Sequence, residues 1–147
     1  MTEPSPELQK KSVERIVESL NPPERDQLLK WAEELKSVRD SDLTTLEKAK
    51  KTLVITKESK ALAPTLKLIL KELRRIGWDD RTWIGKLGIS GSLIGLLVLN
   101  TATGGFAAFG TAIAVPLWLV VGGGGALLGV LIETLQKKRS NNVRNGG

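Results

Sequence analysis

The chain has 147 residues, a net charge of +6, and neither cysteine nor histidine. The missing residue types exclude disulfides, remove the usual ligands of zinc and haem, and leave no thiol or imidazole for catalysis. The near-neutral mean hydropathy of −0.06 conceals a divided chain: charge is dense up to Lys86, absent from Leu87 to Ile132, and returns at Glu133.

The first residues, Met1 to Glu7, are polar and acidic and read as neither a secretory signal nor a transit peptide. Any insertion into a membrane is therefore expected to be directed by the C-terminal segment. Helix signals begin at Ser5, an N-cap candidate followed by Pro6 and Glu7. Val13, Ile16, Val17 and Leu20 fall on one face at the helical period. Asn21-Pro22-Pro23-Glu24 stops that helix and starts a second through a capping box. The second helix presents Leu28, Trp31, Ala32 and Leu35 as its buried face. A third begins near Asp42–Thr44, with Thr44 and Glu47 as a further box and Leu43, Leu46, Ala49 and Leu53 on one side. A fourth runs from about Pro64 to Gly77, a C-cap candidate. Its apolar face is Leu66, Ile69, Leu70, Leu73 and Ile76, and its basic face is Lys67, Lys71, Arg74 and Arg75. That basic face suits an anionic membrane surface or, equally, the solvated side of a bundle helix.

The uncharged run of 46 residues is too long for one crossing of about 20 residues and suits two. Asn100-Thr-Ala-Thr-Gly-Gly105 is its most turn-like point, dividing it into helices at about 84–103 and 106–132. Pro116 and Gly122–Gly125 can break the second, so a three-segment or re-entrant arrangement stays open. Charge placement argues for an even number of crossings. Residues 1–59 hold 11 basic and 12 acidic side chains, 60–86 hold 7 and 3, and 133–147 hold 4 and 1. The positive excess thus flanks the run on both sides, and basic flanks mark the cytoplasmic face. Lys67, Lys71, Arg74, Arg75, Arg81 and Lys86 before it, with Lys137, Lys138 and Arg139 after it, are expected at anionic headgroups. Trp78 and Trp83 are expected in an interfacial belt, with packing onto the bundle as the alternative. This distribution favours lipid over nucleic acid as partner.

Small residues recur at four-residue spacing within the run: Gly91 with Gly95; Gly104, Ala108 and Ala112; Gly122 with Ala126; Gly125 with Gly129. Such spacing lets helix backbones approach closely in lipid. These stretches, Gly91-Ser-Leu-Ile-Gly95, Gly104-Gly-Phe-Ala-Ala108 and Gly122 to Gly129, resemble glycine-zipper membrane hairpins. Hairpins of this kind occur in pore-forming bacteriocins and small lysis or death effectors, and phage holins share the outline. The resemblance covers about the last 60 residues, is one of composition and spacing, and implies a packed, oligomeric membrane hairpin.

No catalytic arrangement stands out. Glu14, Glu18, Glu33, Glu34, Asp79 and Asp80 read as solvated or turn carboxylates, and Gly122–Gly125 lacks the Lys-Ser/Thr of a phosphate loop. No enzyme activity, metal or cofactor is expected. Ser90, Ser92, Asn100, Thr101, Thr103 and Thr111 are the only polar side chains that could line a path through the run.

The expectation is therefore an all-α protein in three parts. Residues 1–80 form a soluble helical bundle, 81–135 a Gly-rich transmembrane hairpin, and 136–147 a disordered basic tail. Both termini would be cytoplasmic, at the inner membrane in a bacterium. The expected function is a non-enzymatic membrane protein that oligomerises through the hairpin and acts as a pore-forming effector controlled by its N-terminal domain, which would also receive any protein partner. The alternatives are an adaptor tethered by the hairpin, or a membrane-remodelling protein.

Overall fold

Helix α1, Pro6–Ser19, begins where Ser5 Oγ accepts the Leu8 N–H at 3.3 Å. These are features of a computed structural model that describes residues 5–78, 112 and 114–146, with Lys60 and residues 141–146 described for backbone alone. The described residues are helical, with no strand among them. The capping box at α2, Pro22–Arg39, is complete: the Glu24 N–H donates to Asn21 Oδ1 at 2.9 Å, and the Asn21 N–H donates to Glu24 Oε1 at 3.0 Å. Arg25 Nε, from the first turn of α2, donates to the Val17 carbonyl at the end of α1. The two-residue junction is thus closed from both sides.

Helix α3, Thr45–Glu58, is capped by Thr44 Oγ1, which accepts the Glu47 N–H. Glu47 reaches back to the Thr44 hydroxyl rather than to its N–H, so the cap is one-sided. The buried face of α3 is Ala49, Thr52, Leu53 and Thr56. Leu46 is 38% exposed and Leu43 precedes the helix, which shifts the inward face from the one expected. A short 3-10 turn, Lys60–Leu62, leads into α4, Ala63–Arg75. At its end Trp78 N–H donates to the Leu73 carbonyl and Gly77 N–H to the Arg74 carbonyl, with Gly77 at φ +100°. This is a Schellman cap, in which the positive φ suits a residue without Cβ.

The last two described helices are α5, Ala114–Val121, and α6, Gly125–Gly146. They are bent by 103° at the intervening glycines, so residues 114–132 form two helices where the sequence offered one long one or a break. The break lies at Gly122–Gly124, one of the places left open. Pro116 sits in the first turn of α5, where its missing N–H has no intrahelical partner to lose. Helix α6 continues through the basic stretch to Gly146, where the composition had suggested a disordered tail.

Helices α5 and α6 share one core with the amphipathic helices. α5 packs against α3 and α2 and touches α4, while α6 lies along α2 and α1. Gly125, the first residue of α6, approaches Arg39 at the end of α2, so α6 runs back along α2 antiparallel to it. Every residue from Ala114 to Val120 is buried, with Val115, Trp118 and Leu119 at 0% exposure. A helix that is apolar all round can only be a fully covered one in water. The core residues of α1, α2 and α4 (Val13, Ile16, Leu28, Leu35, Leu66 and Leu73 among them) belong to the same cluster.

Candidate functional site

The feature with the most unusual construction is the turn between α5 and α6 together with the side chains that hold it. The last carbonyls of a helix lack intrahelical partners. At the end of α5 they are met by Arg39, which lies 80 residues away in sequence from the first of them. Its half-buried Nη1 donates to the carbonyls of Leu119, Val120 and Gly122 at 2.9, 3.0 and 3.1 Å. A guanidinium there supplies donors and places a positive charge at the negative end of the helix dipole. The Trp118 carbonyl separately accepts the N–H groups of Gly122 and Gly124, which tightens the turn.

Arg39 is itself anchored. Lys48 Nζ of α3 donates to its carbonyl at 2.7 Å, closing the end of α2. One turn back, Lys36 donates to Asp40 at 2.6 Å. That hydrogen bond holds the Asp40 carboxyl below the usual carboxylate range.

The packing leaves little room beside these glycines. A Cβ on Gly122 would lie 2.8 Å from the Trp118 ring and carbonyl, and one on Gly124 would lie 2.7 Å from the same ring. A Cβ on Gly125 would lie 2.7 Å from the Arg39 guanidinium. Gly129 differs: nothing lies within 4 Å of its Cβ position, and both it and Ala126 are exposed. Of the residues expected to pack helices in a membrane, Ala112 is buried, and Gly122 and Gly125 serve the turn. Gly91, Gly95, Gly104 and Ala108 lie outside the described residues, as do the polar residues 90, 92, 100, 101, 103 and 111.

The expected interfacial residues divide likewise. Trp78 is 3% exposed and meets Trp118 at a ring-centroid distance of 5.1 Å and a 54° tilt, the packing alternative to a membrane belt. Lys67, Lys71, Arg74 and Arg75 line the outer side of α4. The inner side of α4 is already spent on the core. Only its charged face is therefore available to a surface. Glu72 bridges Arg75 at 3.2 Å and Arg15 of α1 at 3.7 Å. On α6, Lys137 pairs with Glu133 one turn earlier, Arg139 is exposed and Lys138 half-buried. Arg81, Trp83, Lys86, Asp79 and Asp80 lie outside the described residues. Glu14, Glu18, Glu33 and Glu34 are exposed.

Arg39 was not among the residues singled out from sequence, and no local signal marks it. An Arg in a last helical turn is common, and what it caps is set by a distant part of the chain. Comparison with protein-family models, with curated proteins and with solved structures finds no match.

Proposed function

We propose that the chain is a non-enzymatic, membrane-active helical protein. In its closed form, amphipathic helices sheath part of a long apolar segment. In its open form, that segment enters a bilayer, packs through its small residues and oligomerises to permeabilise the membrane. The observation that carries this reading is the 46-residue run without a charge, combined with the outward basic face of α4, which suits anionic headgroups.

Lengths say what such entry requires. Among the described residues no single helix is long and apolar enough to cross a membrane; the bent pair α5 and α6 passes only when its two members are taken together. At eight residues, α5 is about 12 Å long against a hydrocarbon core of about 30 Å. While Trp78 stays beside Trp118, both flanks of the intervening chain are held on one side. The 27 uncharged residues from 87 to 113 would then have to cross twice, which takes about 40. A spanning hairpin thus requires α5 to leave its sheath.

A second reading has an observation in its favour. The thorough burial of α5 suits a bundle that never opens, in which residues 87–111 would serve as a shallow membrane tether for an adaptor domain.

Dye release separates the two. Purified protein is mixed with vesicles of phosphatidylglycerol and phosphatidylcholine. Release that grows with the anionic fraction is expected of the permeabilising form. Vesicle binding without release is expected of the tether, and an absence of binding overturns both. Since the chain has no cysteine, single labels at Glu14 and Ser140, both exposed, report sidedness. Same-side accessibility is expected; opposite sides would defeat an even number of crossings.

A further inference from the structure

We infer that Arg39 is the latch that keeps α5 sheathed, so that its release from three carbonyls is the step that frees α5 as a swinging arm while α6 stays on α1 and α2. The inference rests on the membrane-active reading for its purpose and on the geometry of the turn for its mechanism.

Three features set this contact apart from ordinary packing. First, a side chain of the amphipathic helices here holds the backbone at the end of α5 through three carbonyls at once. Around it lies the apolar packing of the shared core, which trades readily for lipid. Second, loss of the guanidinium leaves the carbonyls of Leu119, Val120 and Gly122 without this partner next to a buried helix, and orphaned acceptors are costly in protein. The same cost opposes the closed form selectively, because these carbonyls become accessible once the arm swings out. Third, the turn is built to admit the latch. Gly125 offers the guanidinium its space: any side chain there would meet it at 2.7 Å. The bend at Gly122–Gly124 is also where α5 would swing away from α6, because the two are separate helices on either side of it. The anchor of Arg39 to α3 through Lys48 keeps the latch on the sheath when the arm departs.

Hydrogen exchange followed by mass spectrometry tests the latch in solution, without lipid. Arg39→Gln should raise exchange across residues 114–121 by at least about tenfold, the effect expected of losing charge-assisted hydrogen bonds. Residues 8–38 and 49–73 should change by less than about twofold, as a sub-global opening requires. Gly125→Ala, which displaces the guanidinium without removing it, should reproduce the local pattern and serves if Arg39→Gln does not fold. A uniform rise over all helices, or no rise, overturns the latch, because Arg39 would then contribute only to global stability or to nothing. Dye release is read beside it. With phosphatidylglycerol vesicles, Arg39→Gln should release dye several-fold faster than the native chain. Release by the native chain that the variant does not accelerate also overturns the latch. Local opening with no vesicle binding by either protein overturns the membrane-active reading instead.

Discussion

Thr56 shows how α3 buries polar atoms at low cost. Its hydroxyl donates to the Thr52 carbonyl at 2.8 Å and accepts the Trp31 indole N–H at 3.1 Å. Trp31 is 1% and Thr56 0% exposed, so water cannot replace either bond. Thr56→Val keeps the volume and removes the acceptor, leaving a buried indole N–H unpaired; it should cost about 1–3 kcal/mol in urea unfolding. The glycines offer a paired contrast at the same scale. Gly124→Ala must force its methyl against the buried Trp118 ring and is expected to destabilise by about 1–3 kcal/mol. Gly129→Ala adds a methyl to open space on α6 and removes a flexible residue from a helix interior, so it should stabilise by about 0.5–1 kcal/mol. Denaturant midpoints measure both. Equal losses at the two positions would mean that Gly129 also faces a close neighbour in solution.

At the scale of elements, local chemistry was legible and distant chemistry was not. Ser5, Asn21 with Glu24, Thr44 and Gly77 all stand at helix ends, because a cap is made by residues three or four apart. Asn21→Ala should therefore cost about 1 kcal/mol in a thermal or urea melt, since one half of its box is removed while the Arg25 bond across the junction stays. The inward face of α3 was misread because threonine counts as polar. Thr52 and Thr56 nevertheless satisfy their own hydroxyls on carbonyls one turn back, so they enter the core in place of Leu43 and Leu46. The glycine run was recognisable as a break, but its purpose was not. Small residues at four-residue spacing look alike whether they admit a neighbouring helix, a Trp ring or a guanidinium. A helix apolar on every side likewise carries no mark of what covers it. The pattern of α5 is the same for lipid and for a sheath of other helices. The Arg39 cap was the least legible of all, because its three acceptors are some 80 residues downstream.

For the whole molecule, the consequence is that the amphipathic helices and the apolar arm stabilise one another. A chain with a polar first half and an apolar second half divides on paper near residue 80. In the fold, α6 covers α1 and α2, α5 covers α3, and Trp78 at the edge of the first half rests on Trp118 of the second. A fragment ending at Trp78 would expose the apolar surfaces that those two helices bury. At that size the remaining core is too small to offset the conformational entropy of ordering four helices. Such a fragment should keep helical circular dichroism, bind a dye that reports exposed apolar surface, and melt without a sharp transition, as expanded states with loose packing do. The full chain should melt in a single transition seen alike by circular dichroism and by tryptophan fluorescence, because Trp31 in α2 and Trp118 in α5 sit in the same core cluster. If the fragment instead melts sharply at the temperature of the full chain, the first half is a domain in its own right and the arm merely leans on it. In that case the apolar contacts of α5 and α6 would contribute little to holding them closed, so the melting behaviour of the fragment bears directly on how the apolar segment is held.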